Sequence, residues 1–130
     1  MAQVTAQLMA MVSVRDRLRA RAFYADVLGP VLGIGAPAID GFGDQFPCGD
    51  GYIRLTELPD WQPGPHPVLG FRVDDAAASV ASLVAAGVDM LIYEGFGQDA
   101  LGIWHAPGGS ARVAWFNDSE GNLLSLTQQG

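Results

Sequence analysis

Hydrophobic positions along this chain follow two periods, and the order of those periods is written twice. Residues 8–14 (LMAMVSV) form an apolar run of strand length. Asp16 then suits a helix N-cap, and Ala20, Phe23, Tyr24, Val27 and Leu28 fall at i, i+3, i+4, i+7 and i+8. Gly29 and Pro30 are expected to end that helix. The pattern returns at residues 67–73 (PVLGFRV), where Leu69, Phe71 and Val73 alternate. Asp74 or Asp75 caps a second helix with Ala76, Val80, Leu83, Val84 and Gly87 on one stripe.

Val14–Arg15–Asp16 maps onto Val73–Asp74–Asp75 at an offset of 59, and Gly29 onto Gly87 at 58. After each helix come extended stretches punctuated by glycine. They end in GDGYIRLTEL (49–58) and SEGNLLSLTQ (119–128), offset by 70. The pattern is strand, helix, three strands, twice over, which predicts an α+β fold of two βαβββ modules. The chain of 130 residues reads as a single domain, with modules at about 6–58 and 66–129. The linker is residues 58–66 (LPDWQPGPH), rich in proline and glycine. A second loop is expected over about 95–109, holding Trp104, His105 and Pro107.

Composition narrows the function classes. The net charge is −7, there is no lysine, and four of the seven arginines (Arg15, Arg17, Arg19, Arg21) crowd one segment. A field of this sign repels phosphate backbones, so nucleic acid is not an expected partner; a cationic or neutral ligand is favoured. No apolar run is long enough to cross a bilayer, and Met1–Gln7 has no basic cluster before an apolar stretch, so a cytoplasmic location is expected. The lone Cys48 permits no intramolecular disulfide and reads as a small apolar filler.

Catalytic signatures are thin. No Ser/His/Asp set stands at recognisable spacing, and Gly41–Phe42–Gly43 and Gly95–Phe96–Gly97 read as loops, not phosphate cradles. Asp74–Asp75 looks like paired carboxylates, but a helix cap explains it better.

Two segments carry a family resemblance. VRDRLRARAFYADVLG (14–29) and FNDSEGNLLSLTQ (116–128) resemble the vicinal oxygen chelate superfamily of glyoxalases, bleomycin-resistance proteins and ring-cleaving dioxygenases. The second segment is similar to that family's Asp-Pro-Asp-Gly-Asn turn, with Ser119 and Glu120 replacing Pro-Asp. The resemblance implies a curved mixed sheet with a concave ligand cavity, helices outside, and a homodimer whose modules complete each cavity.

Metal-dependent members of that family carry His, Gln or Glu at four strand positions. By motif counting these fall on Met9, Val68, Ser125 and either Leu55 or Thr56, none of which suits a catalytic divalent ion. No metal and no other cofactor is therefore expected. A displaced site from His66, Glu57 and His105 is the alternative to a linker or cavity-lining His66 and a loop His105.

Without a metal, a cavity holds its ligand by packing and a few polar contacts. Alternation puts Leu8, Ala10, Val12 and Val14 toward a helix and leaves Met9, Met11 and Ser13 for the cavity, as ligand wall or core filler. On the fifth strand it leaves His66, Val68, Gly70 and Arg72, and on the last Leu123, Ser125 and Thr127. Tyr52, Arg54 and Thr56 read as cavity-facing against Ile53 and Leu55, with Arg54 offered to a ligand carbonyl. Trp61 in the linker and Trp104 in the long loop are candidate stacking plates; Trp115, beside Phe116, reads as core.

DWQPGPH (60–66) is similar to the linker of drug-binding members of the family, particularly the mitomycin-binding kind, which sequester their ligand without a metal. The leading expectation is a metal-free binding protein for an aromatic, antibiotic-like small molecule, contacted by Trp61, Trp104, Tyr52, Arg54, His66, Met9, Met11 and Ser125. The runner-up is an enzyme of lyase, isomerase or dioxygenase type, with a relocated metal or with His66 or His105 as acid–base group. A third is an accessory domain of a biosynthetic cluster.

Overall fold

A computed structural model describes residues 5–130; residues 1–4, part of the Met1–Gln7 stretch read for a leader, lie outside it. The first half runs β1 (Met9–Val14), α1 (Arg17–Ala22), a π-helical segment (Phe23–Leu28), α2 (Gly29–Leu32), β2 (Ala38–Ile39), β3 (Asp44–Cys48) and β4 (Gly51–Glu57). The second runs β5 (Leu69–Arg72), α3 (Ala76–Ala85), β6 (Trp104–His105), β7 (Ala111–Asn117) and β8 (Leu123–Gln129). Sheet A is ordered β1-β4-β3-β2 and sheet B β5-β8-β7-β6, the same topology twice. In each, the first strand lies parallel to the last and the remaining pairs are antiparallel. The fold is α+β, built of two βαβββ modules.

Both helices start as expected. Asp16 accepts from the Arg19 amide at 3.0 Å and Asp75 from the Ala78 amide at 3.0 Å. The first helical stretch does not end at Gly29–Pro30 but continues to Leu32 and stops at Gly33, which takes the left-handed conformation with φ 73°. Proline lacks an N–H and its ring collides with the carbonyl four residues back. Here the turn before it widens into π geometry, which seats Pro30 without breaking the helix.

A single core spans both modules. Ala20, Tyr24 and Leu28 of the first helical stretch pack with Val12, Val14, Ile53 and Leu55 of sheet A. Ala76, Val80 and Leu83 of α3 pack with Phe71, Phe116, Leu124 and Leu126 of sheet B. Val84 was expected on that stripe but is exposed, because eight residues carry the helix about 80° past Ala76. The loop expected over 95–109 contains β6, since Trp104 and His105 pair with Val113 and Arg112.

The modules are clasped by the β7–β8 turn. Asp118, Glu120 and Asn122 are buried, each with its polar atoms engaged. Tyr24 donates its hydroxyl to Asp118 at 2.8 Å, and burial beside that carboxylate pushes the phenol well above its ordinary pKa. Glu120 accepts from the backbone amides of Arg15 and Asp16 and from the Arg19 guanidinium at 2.7 and 2.9 Å. Arg17 and Arg21 both pair with the buried Asp44. The arginine-rich segment is thus spent on holding the fold.

Candidate functional site

Strand pairing decides which side chains share a face. In sheet A the rows Met9–Tyr52, Met11–Arg54–Gln45 and Ser13–Thr56 stand on one side, opposite buried Val12, Ile53 and Leu55. Met9 is 40% exposed and Met11 63%, so neither fills the core. Arg54 holds the Asp40 carboxylate through Nη2 at 2.9 and 3.0 Å; the Phe42 amide first, then Arg54 and the Gly43 amide, lower the Asp40 pKa.

In sheet B the rows Gly70–Ser125–Trp115 and Arg72–Thr127–Val113–Trp104 form the corresponding open face. Leu124, Leu126, Ala114 and Phe116 fill the core behind them. Trp115 is therefore not core, as its neighbour Phe116 suggested; the pleat sends the two to opposite sides. Tyr93 and Phe96 make T-shaped contacts with Trp115 at centroid distances of 5.5 and 5.9 Å. Gln98 holds the loop that carries them, accepting from the Tyr93 amide and donating to the Leu91 and Gly102 carbonyls. Strict alternation along residues 113–117 is the signal that finds Trp115, whereas Tyr93 and Phe96 reach the face through loop geometry that has no periodicity.

The eight residues singled out in the sequence do not gather at one cavity. Met9, Met11, Tyr52 and Arg54 share the sheet A face; Trp104 and Ser125 share the sheet B face. Trp61 is half-buried at the linker, and His66 is exposed there. A cavity of about 690 Å³ lies where the start of β1 meets β4 and β5, and of the eight it includes Tyr52 alone. Its apolar wall comes from Leu8, Ala10, Ile53, Leu69 and Phe71.

The register also settles the fourth-strand position. Gly70 pairs with Ser125 as Met11 pairs with Arg54, so the last strands are offset by 71 and Ser125 corresponds to Arg54, not to Leu55 or Thr56. Met9, Val68, Arg54 and Ser125 then stand where the resemblance puts the family's ligands, and these side chains do not fit a divalent metal ion. His66, Glu57 and His105 are each placed otherwise. Glu57 accepts from the Arg17 amide at 2.9 Å, and His105 Nε2 sits 2.8 Å from Asp99. Among the described residues no three His, Cys, Asp or Glu side chains gather where they would hold a metal.

No family model and no curated protein matches the chain. Solved structures do. The antibiotic binding protein TnmS3 from Streptomyces sp. CB03234 is 24% identical over all of both chains, with a TM-score of 0.71. The fosfomycin resistance protein FosX from Listeria monocytogenes is 14% identical over 98% of this chain and 96% of its own, with a TM-score of 0.72. A glyoxalase/bleomycin resistance protein from Albidiferax ferrireducens T118 is 23% identical over 93% and 97%, with a TM-score of 0.66. At these identities the likeness is one of fold.

Proposed function

Because this chain has the vicinal oxygen chelate fold, we propose that it is a metal-free binding protein that sequesters a planar aromatic small molecule of antibiotic type. The observation that carries the proposal is the pair Trp104 and Trp115. Trp104 pairs with Val113, and Trp115 stands two residues further along the same face, so the two indoles are diagonal neighbours on an open sheet. Two adjacent aromatic plates offer a planar ligand about 1–3 kcal/mol of stacking each. Ser125 supplies a hydroxyl beside Trp115. Met9, Met11, Tyr52 and Arg54 form an adaptable second wall, with Trp61 and His66 at the rim.

A homodimer completes the site in this reading. Met9, Met11 and Val68, the last 42% exposed, leave apolar surface on the open faces that a second copy would cover. Small-molecule binding agrees with the antibiotic-binding TnmS3 among the fold's neighbours. The four family metal positions, occupied by Met9, Val68, Arg54 and Ser125, support binding over metal-dependent chemistry. Among the described residues no helix is long and apolar enough to cross a membrane, and a cytoplasmic location is part of the proposal.

The test is a titration of EDTA-treated protein with mitomycin, a bleomycin and a quinoxaline peptide, following tryptophan fluorescence. Saturable quenching at micromolar concentration or below is expected for at least one. A flat response with all three sinks the reading for these classes, and turnover that returns with added metal would make the protein an enzyme.

A further inference from the structure

The charge on the sheet B face differs in sign from the charge of the chain. Of the seven arginines, Arg17, Arg19, Arg21 and Arg54 pair with carboxylates, and Arg15 donates to the Glu120 carbonyl. Arg72 and Arg112 enter no salt bridge among the described residues. Arg112 opposes His105 on the far face of the sheet. Arg72 stands on the tryptophan face, in the row that runs through Thr127 and Val113 to Trp104. It is exposed at the rim, where a groove of about 280 Å³ adjoins.

The rows of this face contain no carboxylate. Between the arginine and the indoles lie only Gly70, Ser125, Thr127 and Val113. Gly70 keeps the floor low beside Ser125, since a Cβ there would come within 3.3 Å of the Ser125 hydroxyl oxygen. Neighbouring strands are spaced about 4.8 Å apart, so Arg72 and Trp104 are separated by roughly 14 Å across three spacings.

We infer that the ligand of this face is an aromatic acid: its ring system lies on Trp104 and Trp115, and its anionic oxygen is received by Arg72. The inference rests on the binding role proposed above and specifies its ligand class. A guanidinium with no carboxylate partner among the described residues can offer its donors to a carboxylate or phenolate, and such charge-assisted bonds are about twice as strong as neutral ones. Arg54 is the weaker receptor because Asp40 already neutralises it. The overall charge of −7 favours cationic ligands at long range, but within a Debye length the local cation decides.

The experiment compares 9-anthracenecarboxylate with its uncharged carboxamide, titrated at neutral pH into the wild-type protein and into Arg72→Ala and Arg112→Ala. The wild-type protein should prefer the acid tenfold or more. Arg72→Ala should abolish that preference by lowering affinity for the acid far more than for the carboxamide, and Arg112→Ala should retain it. Equal wild-type affinity for acid and amide, or a preference that survives Arg72→Ala, overturns the anion assignment and leaves the aromatic site standing. Failure of both probes to bind the wild-type protein overturns the aromatic site and this inference together.

Discussion

The indole N–H of Trp61 donates to Asn122 Oδ1 at 2.8 Å, tying the linker between the modules to the turn between the last two strands. Asn122 is buried, and its amide group donates in turn to the Ser13 carbonyl at 2.9 Å and to Asp118 at 3.0 Å. One tryptophan thereby completes a network that reaches both modules. Trp61→Phe keeps the ring but strands the Asn122 oxygen, which should cost about 1–2 kcal/mol in a denaturation experiment. Ligand affinity should change less than threefold. A large loss of affinity without loss of stability would instead put the Trp61 indole in contact with the ligand.

Trp104 and Trp115 should behave in the opposite way. Each is half-buried on an open face, so alanine at either position should weaken binding tenfold or more, about 1.4 kcal/mol, with little loss of fold. Trp115→Ala also removes the surface against which Tyr93 and Phe96 rest, so its loss should exceed that of Trp104→Ala. Affinities from fluorescence or calorimetry, read beside circular dichroism, decide this. Unchanged affinity in both variants removes the pair from the site.

Much of the architecture is legible in the sequence because period and capping are local. The two strand–helix starts follow from Asp16 and Asp75, and the buried sides of β1, β4, β5 and β8 follow from alternation. What escaped depends on neighbours that are distant in the chain. The π segment answers a proline whose effect lies in the preceding turn. β6 exists because Trp104 and His105 find Val113 and Arg112 across a loop. The one-residue shift that makes Arg54 the counterpart of Ser125 depends on pairing register, which a repeat offset does not encode. The site suffered most, since its second tryptophan was hidden by the apolar company of Phe116.

Asp44 gives a test of the arginine cluster. It is fully buried and accepts from Arg17 at 2.9 Å and from Arg21 at 2.8 and 3.1 Å. Burial alone would raise its pKa, but the two guanidiniums outweigh it and the net direction is downward. Asp44→Ala leaves both arginines without their shared carboxylate and should cost about 2–4 kcal/mol, read from urea midpoints. Asp60→Ala, on the exposed linker, is the control and should lie within about 0.5 kcal/mol of wild type. If Asp44→Ala matches that control, the cluster is a solvated surface and not part of the frame.

Glu120 should set the acid limit of the fold. Burial pushes its carboxyl up, but the Arg19 guanidinium, the Asp16 amide and the Ser119 hydroxyl outweigh that and bring the pKa from 4.5 to about 2. A carboxylate whose folded pKa is depressed binds fewer protons in the folded state than in the unfolded one. Its stabilisation is therefore complete above the ordinary value and is lost as pH falls toward the folded value. For this shift the quantity at stake is at most roughly 3 kcal/mol, the Arg19 side of the pair being half exposed to solvent. Wild-type stability should thus fall between about pH 5 and pH 2, more steeply than that of Glu120→Gln, which has no proton to gain there. At neutral pH the same variant should be about 2–4 kcal/mol less stable, because the Arg15 and Asp16 amides and Arg19 lose a charged acceptor. Urea midpoints taken from pH 7 to pH 2.5 measure both effects. Parallel curves for the two proteins across the acid range would show that Glu120 carries no part of the pH dependence.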